Sequence, residues 1–331
     1  MARQRELGRG EKVLPGLWRL RLPLPWPGGP HGNAWAIAAG SGVVMVDCGM
    51  HEAGSMPQLE RALDQVRLRL EHVRLLAVTH AHSDHWGEAG PVRERAGCEF
   101  WMHPNHQHAV QTASDPEAAL ARRLEVARQS GVPEDAIRRY ISRVSSMPSG
   151  IAEVLEPGRD LVSGVVIEAD LGPWHVYETP GHAPSHVCLF QPDRRLLISG
   201  DHLLGRISLF YDYGWTPDPV GEFLRSLGVV ESLDARLALP GHGRPFVDVA
   251  GHIEANRRLV AARLEAVNRA LADSNLTATE VMPSVFEEPI TEYNAGWRLQ
   301  ETLCYLRHLE VEGAVSNDGG SADGLKRWRR A

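Results

Sequence analysis

Three histidines and one aspartate crowd into six positions of this chain. They lie in the sequence Thr79-His80-Ala81-His82-Ser83-Asp84-His85-Trp86-Gly87-Glu88. The apolar run before this sequence, residues 73–78, is typical of a buried strand, so the four side chains follow a strand end. Imidazole nitrogens and carboxylate oxygens are ligands that zinc, iron and manganese accept in proteins. The cluster therefore predicts a metal site at this strand end.

A similar design, an apolar strand followed by glycine and a ligand-type side chain, recurs three times later in the chain. The ligand-type residues of these repeats are His182, Asp201 and His242. An earlier predicted strand ends at a carboxylate, that of Asp47. Glycine beside a ligand suits a tight turn that brings the backbone close to a metal ion. These residues are the candidates for completing the site.

Strand and helix patterns alternate in the elements that must position these side chains. The apolar runs 34–39 and 43–47 flank Gly40-Ser41-Gly42 and predict a hairpin. Two residue pairs have the spacing of a capping box at a helix start, Ser55 with Gln58 and Thr277 with Glu280. Further helical patterns cover about 219–233, 249–273 and 296–312.

Residues 105–148 interrupt the strand pattern with two helical stretches, about 116–130 and 133–146. Pro133 precedes the second stretch, as proline often does at a helix start. We interpret this segment as a helical insertion on the sheet scaffold. It is either a packed structural helix pair or a lid over the site.

Composition places the chain among ordinary soluble globular proteins. Of its 331 residues, 43% are hydrophobic and 23% are charged, and the net charge is −7. We find neither the ~20 consecutive apolar residues of a membrane span nor the apolar segment of a secretory signal. Four widely spaced cysteines are expected to be buried thiols in a reducing compartment: Cys48, Cys98, Cys188 and Cys304. We therefore expect a cytoplasmic protein with no membrane partner.

The C-terminal part shows helices followed by a short strand, which resembles a small winged-helix unit over residues 251–315. Residues 316–331 are rich in glycine and serine and end in basic residues, so they predict a flexible basic tail. Residues 251–331 carry ten Lys and Arg against twelve Asp and Glu. This balance argues against a nucleic-acid partner and favours packing or homodimerisation.

Collected in order, the strand-end residues resemble the motifs of the metallo-β-lactamase superfamily. The matching motifs are Asp47, His80-x-His82-x-Asp84-His85, Gly181-His182, Gly200-Asp201 and Pro240-Gly241-His242-Gly243. The resemblance covers roughly residues 13–250. It implies an α+β fold, a four-layer αββα sandwich that carries its metals at one edge of two sheets, so we expect a catalytic domain over residues 1–250.

The resemblance also implies two divalent metal ions, most commonly zinc, with iron or manganese as alternatives. The first ion would be held by His80, His82 and His182. The second would be held by Asp84, His85 and His242. Asp201 would bridge the two ions, and Asp47 would hydrogen-bond a ligand. A hydroxide shared by the ions would be the nucleophile, and Asp84 would act catalytically by relaying a proton.

A loop after Asp201 is rich in aromatic residues with polar tips. It is either a substrate-binding loop or a site of aromatic packing. The candidate substrate-binding residues are Arg206, Tyr211, Tyr213 and Trp215, together with Trp86 as a pocket wall. We expect Asp212 and Asp218 to be surface turn residues. We expect solvated loop positions for His103, His106 and His108, with an approach to the cleft as the alternative.

Two segments, 199–205 and 299–313, resemble the branch of the superfamily called β-lactamase-like protein 2. The helical insertion is longer than in that branch, which leaves the substrate open. Our first hypothesis is a binuclear hydrolase of a small ester, thioester or lactone. The alternatives are a metal-dependent ribonuclease, which that branch would suggest, and an iron-dependent redox or dioxygenase enzyme.

Overall fold

Neighbouring side chains on the central strands pack into different hydrophobic cores, as the two-residue period of a strand requires. Val44 and Val46 face a core that lies between two sheets, whereas Val43 and Met45 face a core that helices cover. This computed structural model describes residues 7–26, 31–144, 149–319 and 323–331.

The first sheet has seven strands within these ranges, and their spatial order follows the chain. They are β1 (Arg9–Leu14), β2 (Leu17–Pro23), β3 (His31–Ala39), β4 (Gly42–Val46), β5 (Val73–Ala77), β6 (Glu99–Met102) and β7 (Arg159–Asp160). Strands β1 to β4 pair antiparallel, and β4 to β7 pair parallel. The predicted hairpin is the pair β3 and β4, and β5 carries the metal-type motif at its carboxyl end.

The second sheet has five strands in the described part of the chain, in the order β12-β11-β10-β9-β8. They are β8 (Val166–Ile167), β9 (Trp174–Glu178), β10 (Val187–Gln191), β11 (Leu196–Gly200) and β12 (Leu237–Pro240). Strands β11 and β12 pair parallel, and the other pairs are antiparallel. Because β11 and β12 run in the same direction, Asp201 and His242 leave the sheet at the same edge.

Helices cover the outer faces of both sheets. The helices of the described residues are α1 (Ser55–Gln65), α2 (Ser83–Trp86), α3 (Ala89–Ala96), α4 (Gln107–Ser114), α5 (Pro116–Gln129), α6 (Glu134–Val144), α7 (Pro219–Ser232), α8 (Val249–Ala270), α9 (Ala278–Val285) and α10 (Ala295–Val311). Side chains of α1 and α3 join the core on the first sheet, and those of α7 and α8 join the core on the second. The fold is therefore the expected αββα sandwich, and its class is α+β. We find no helix among the described residues that is long and apolar enough to cross a membrane.

The insertion contains one helix more than predicted. Helices α5 and α6 match the two predicted stretches, and Asp115 caps α5 by accepting a hydrogen bond from the backbone N–H of Ala118 at 2.9 Å. Helix α4 was not predicted, and it begins directly after β6 and its connecting turn. The predicted ends of the second helix and of the insertion, 145–148, lie outside the described residues.

One of the two predicted capping boxes is correct. Thr277 Oγ1 accepts from the backbone N–H of Glu280, and the Glu280 carboxylate accepts from that of Thr277. At the other helix Ser55 is already the first helical residue, and Gly54 occupies the cap position with φ of 91°. The Ser55 hydroxyl instead accepts a hydrogen bond from the backbone N–H of Glu52 at 3.0 Å.

The C-terminal segment is folded where the sequence predicted a flexible tail. A small antiparallel sheet joins β13 (Leu276–Thr277), β15 (Arg327–Arg330) and β14 (Val315–Asn317). Trp328 is only 2% exposed and packs into the core that α7 to α10 share. Burial of this one side chain, together with pairing on both sides of β15, orders residues whose composition alone is typical of a tail. The winged-helix-like interpretation and the domain boundary at residue 250 remain predictions.

The four cysteines are buried free thiols, as expected.

Candidate metal centre

All seven predicted ligands meet at one edge of the sandwich, where strands of both sheets end. Strand β5 leads into the motif that begins at His80, and β9 leads to His182. Strands β11 and β12 deliver Asp201 and His242. The backbone N–H of Gly241 donates to the carbonyl of Gly200 at 2.8 Å, which ties the last two turns together.

Three histidine nitrogens converge in the first group of ligands. Nδ1 of His82 lies 3.1 Å from Nε2 of His80 and 2.9 Å from Nε2 of His182. A tetrahedral zinc ion with Zn–N bonds of 2.0–2.1 Å would hold its nitrogens about 3.3 Å apart. The observed spacing is thus close to that of a three-histidine metal site.

The outer nitrogen of each of these rings has a hydrogen-bond acceptor. The acceptors are Thr79 Oγ1 for Nδ1 of His80 at 3.0 Å, the Phe210 carbonyl for Nδ1 of His182 at 3.1 Å, and Asp212 Oδ2 for Nε2 of His82 at 2.9 Å. With the protons on these outer nitrogens, the inner nitrogens all carry lone pairs. Three lone pairs within about 3 Å repel each other unless a cation lies between them, so the arrangement fits a metal ion.

The second group combines two histidines with carboxylates. Nε2 of His242 lies 3.1 Å from Oδ2 of Asp84, and Nε2 of His85 lies 3.6 Å from the same oxygen. Asp201 lies between the two groups, because its Oδ2 is 3.3 Å from His242 and 3.7 Å from His182, and its Oδ1 is 3.5 Å from His85. Its carboxylate therefore contacts histidines of both groups.

Asp47 holds the second group from behind. Its carboxylate accepts from the backbone N–H of Thr79 at 2.8 Å, from the Thr79 hydroxyl at 2.9 Å and from Nδ1 of His85 at 2.8 Å. Asp47 is 1% exposed and adopts φ of 65° at the end of β4. This contact fixes the His85 ring with Nε2 turned toward the cluster.

Two buried atoms of the cluster have no hydrogen-bond partner among the described residues. They are Nε2 of His85 and Oδ1 of Asp201, which lie 3.5 Å apart. Buried polar atoms are almost always satisfied, so an orphaned nitrogen and an orphaned carboxylate oxygen facing each other indicate a missing partner. The donor set of imidazoles and carboxylates is that of zinc, iron or manganese.

The two candidate ligand carboxylates, Asp84 and Asp201, are kept ionised by the histidines beside them. Although burial alone would raise it, the pKa of Asp84 is lowered to about 2 by His85 and His242. Against the same effect of burial, His242 and His85 hold the pKa of Asp201 well below its ordinary value. Burial lowers the pKa of His80, which keeps this ring neutral, as a metal ligand must be.

Two further buried histidines lie beside the cluster and outside the seven candidate ligands. His186 is 1% exposed, accepts a hydrogen bond from the backbone N–H of Asp201 at 3.1 Å and bonds the Thr179 hydroxyl at 2.8 Å. The His202 ring packs against Phe223 at 4.9 Å between ring centroids. His186 thus positions the backbone of a candidate ligand.

Asp212 and His108 lie at the site, although the sequence predicted a surface turn for the first and favoured a solvated loop position for the second. Asp212 Oδ2 is 2.9 Å from His82 and 3.7 Å from Nε2 of His108. His108 is only 5% exposed, and His103 and His106 are likewise buried, so the prediction of solvated positions was wrong for all three. The expectation that Asp218 is a surface turn residue was also wrong, because this residue caps α7 and bonds Nδ1 of His308 at 3.0 Å.

The candidate substrate-binding residues separate into buried and accessible ones. Trp86 and Tyr211 are fully buried in two different hydrophobic cores. Tyr213 is partly buried and packs against the same core as Tyr211. Trp86 therefore does not form a wall of an open pocket, and Tyr211 packs on Phe223 and Tyr305 instead of facing the cleft.

Arg206 and Trp215 are exposed, and the ring of Trp215 lies 5.9 Å from that of His108. Phe210, which the sequence did not single out, lies 5.7 Å from the rings of both His82 and His182. Phe210 is therefore the aromatic side chain of this loop that contacts the first group of ligands, whereas Trp215 contacts His108.

Comparison with known proteins agrees with this geometry. The sequence profile described as the metallo-beta-lactamase superfamily matches residues 27–242. The probable metallo-hydrolase YqjP of Bacillus subtilis is 26% identical over 313 residues, 90% of this chain and 93% of its own length. The atrochrysone carboxyl ACP thioesterase of Aspergillus chevalieri is 24% identical over 51% of this chain and 55% of its own length.

Among solved structures, a metallo-beta-lactamase family protein from Thermus thermophilus superposes with a TM-score of 0.81. It is 28% identical, and the match covers 97% of this chain and all of that protein. The similarity therefore extends beyond the sandwich into the C-terminal helices.

Proposed function

The chain belongs to the metallo-β-lactamase superfamily and is a metal-dependent hydrolase of that fold, and we propose that it is a binuclear enzyme acting on a small ester, thioester or lactone. The observation that carries the proposal is the pair of adjacent ligand groups with the Asp201 carboxylate between them. Two divalent ions, zinc first among the candidates, would be held by the groups at His80, His82 and His182 and at Asp84, His85 and His242.

The ions, when bound, would supply Lewis-acid chemistry by polarising a substrate carbonyl and activating water. The residues of the chain would do the positioning. Asp47 and Thr79 hold the rings of His85 and His80 in fixed tautomers, and His186 holds the Asp201 backbone. Asp84 would accept a proton at a carboxylate oxygen and return it to the leaving group.

A thioester is the first substrate to test. The likeness to an acyl-carrier thioesterase supports this choice, although that match spans only about half of each chain. The apolar side of the site supports it as well, because Phe210 lies beside His82 and His182 and offers an acyl group a nonpolar contact.

The test combines metal analysis with a substrate panel. The purified protein is assayed by mass spectrometry for bound metals and then with acyl-coenzyme A thioesters, aryl esters, lactones and a single-stranded RNA. We expect two metal equivalents and hydrolysis of at least one carbonyl substrate, which a chelator abolishes and added zinc or manganese restores. Metal-loaded protein that leaves every carbonyl substrate intact would overturn the proposal, and RNA cleavage alone would replace it with the ribonuclease alternative.

A matched pair of variants assigns the activity to this site. Asp201→Asn removes the carboxylate between the two groups and is expected to lower activity by roughly a hundredfold or more. Asp193→Asn, on the turn between β10 and β11, makes the same chemical change away from the cluster and is expected to leave activity unchanged. Equal activity of Asp201→Asn and the wild type would show that hydrolysis arises elsewhere.

A further inference from the structure

We propose that Asp212 and His108 form a positioning pair behind His82, through which helix α4 of the insertion sets the affinity of the first metal position. This inference rests on the metal centre of the proposed function. It assigns a role to a carboxylate and to a buried histidine that lie outside the seven candidate ligands.

The outer nitrogens of the five cluster histidines use two kinds of acceptor. Neutral oxygens serve three of them: Thr79 Oγ1 for His80, the Phe210 carbonyl for His182 and the His31 carbonyl for His242. Carboxylates serve the other two: Asp47 for His85 and Asp212 for His82. Each ligand group therefore contains one histidine with a carboxylate behind it, an arrangement that fixes the tautomer and makes the ligand more basic.

The two carboxylates are held in different ways. Asp47 lies at the end of β4 and accepts three hydrogen bonds inside the sandwich. Asp212 lies in the irregular segment between β11 and α7, and its carboxylate contacts His82 and His108. The regular sheet thus fixes the second metal position, whereas the first depends on how well this loop is held.

The buried ring of His108 packs against the Asp212 side chain of this loop, without a direct hydrogen bond to it. Its Nδ1 donates to the carbonyl of Asn105 at 3.1 Å, which fixes the ring on the first turn of α4. Its Nε2 is buried, has no hydrogen-bond partner among the described residues and lies 3.7 Å from the Asp212 carboxylate. Trp215 covers the ring from the loop side. The insertion therefore closes Asp212 in against His82.

Loss of Asp212 and loss of His108 should weaken metal affinity to different extents. Asp212→Asn keeps the shape but removes the charge behind His82, and changes of this kind typically weaken metal affinity by about 10- to 100-fold. His108→Leu leaves Asp212 in place without its neighbour on α4, so we expect a smaller loss at the same metal position. His108→Gln offers the Asp212 carboxylate an amide N–H in place of the buried ring, so it should recover affinity that His108→Leu loses.

The chain offers matched controls for both changes. Asp218 is another aspartate of this loop region, pairs with His308 at 3.0 Å and has a side chain as buried as that of Asp212. Asp218→Asn still caps α7, because asparagine is as good a cap as aspartate. His103 is buried like His108 but bonds Glu178 at 3.0 Å, so His103→Leu controls for loss of a buried histidine.

The experiment titrates metal-free protein with zinc against a chromophoric chelator and with cobalt by visible absorption. We expect Asp212→Asn to weaken one of two ions by about 10- to 100-fold and to alter the cobalt spectrum of that ion alone. His108→Leu should weaken the same ion less, and His108→Gln should lie between His108→Leu and the wild type. Asp218→Asn and His103→Leu should leave both affinities within about twofold of the wild type.

The outcomes of this experiment separate this inference from the proposed function. If the wild type binds two ions and Asp212→Asn binds both as tightly, the positioning pair is wrong and the metal centre stands. If both ions weaken equally and the melting temperature of the metal-free protein drops by as much, Asp212 is structural only. If the wild type binds no metal, the proposed function falls and the pair falls with it. Should Asp212→Asn not fold, the comparison of His108→Leu with His108→Gln decides.

Discussion

Nε2 of His182 lies 2.9 Å from Nδ1 of His82, although 100 positions separate the two residues in the chain. Both rings direct their outer nitrogens to acceptors, the Phe210 carbonyl and the Asp212 carboxylate. With the protons on those outer nitrogens, the two inner nitrogens present lone pairs to each other, an arrangement that a cation stabilises. It connects the two sheets of the sandwich, since His82 follows β5 and His182 follows β9.

Because the candidate ligands form two groups, removing a ligand from one group should release one metal ion and leave the other bound. His182→Ala removes a ligand of the first group only, and His242→Ala removes one of the second group. We expect each variant to retain about one metal equivalent after dialysis and to lose roughly a hundredfold or more in activity, because both ions share the chemistry. Elemental analysis checks the stoichiometry. His103→Ala, a histidine bonded to Glu178 away from the cluster, should keep both ions, and loss of both from His182→Ala would contradict two separable positions.

The turn at Gly241 leaves no room for a side chain beside the candidate ligands. A Cβ at this position would lie 2.1 Å from Oδ1 of Asp201 and 2.7 Å from Cε1 of His85. Gly241→Ala must therefore displace a candidate ligand from its place, and we expect a loss of activity of about 100-fold. Activity and metal content measure the effect.

Gly228 on α7 is the matched control for this change. A Cβ there would have nothing within 4 Å, and alanine is the better helix former by about 0.5–1 kcal/mol. We expect Gly228→Ala to keep full activity with equal or higher stability. Wild-type metal content in Gly241→Ala would show that the turn after β12 can yield without disturbing Asp201.

The buried His202 ring should make the folded protein less stable in acid. Burial, with a smaller effect of His182, lowers the pKa of His202 from 6.5 to about 3. Between these values the unfolded chain binds a proton that the folded chain does not, so the free energy of unfolding falls as the pH drops from about 6.5 toward about 3. His202→Leu removes this group and should make the fall shallower.

Urea unfolding of the metal-free protein at pH 7, 6, 5 and 4, with a chelator present, measures this dependence. Removing the metal matters because protonation of ligands would otherwise release it over the same range. If wild type and His202→Leu lose stability in parallel over this range, the buried His202 ring does not contribute to the acid sensitivity.

The sequence predicted the seven candidate ligands because each follows a strand end, and the carboxyl ends of parallel neighbouring strands meet at one edge of a sheet. The spacing of His80, His82, Asp84 and His85 within one short motif is a local property that needs no tertiary information. The sandwich was expected from the resemblance of these motifs to those of the metallo-β-lactamase superfamily.

Asp212 and His108 lacked any such local signal. The first lies in an irregular loop and the second on the short helix α4, and only tertiary packing brings them to His82. The prediction that Trp86 and Tyr211 bind substrate failed for the opposite reason. Trp86 follows the candidate ligand His85, and Tyr211 lies between Phe210 and Asp212 at the site, but both rings lie in the cores on the outer faces of the sheets. Proximity along the chain does not determine which face of an element a side chain occupies.

Because the C-terminal strand is folded, substitution of Trp328 should strongly lower the stability of the protein. This side chain is 2% exposed, and its strand β15 pairs with Leu276 on one side and Asn317 on the other. Glycine, serine and aspartate before the strand and arginines around the tryptophan concealed it, because a single buried residue leaves no period in the sequence. Trp328→Ala should cost about 3–5 kcal/mol of unfolding free energy, as a cavity in a packed core does.

Arg329→Ala, one residue along on the exposed face of the same strand, should stay within about 0.5 kcal/mol of the wild type. Urea unfolding of both variants measures the difference, with Trp328→Phe expected between Trp328→Ala and the wild type because part of the cavity is filled. Trp328→Ala and Arg329→Ala of equal stability would mean that β15 contributes nothing to the fold and that the composition, which predicted a flexible tail, was the better guide.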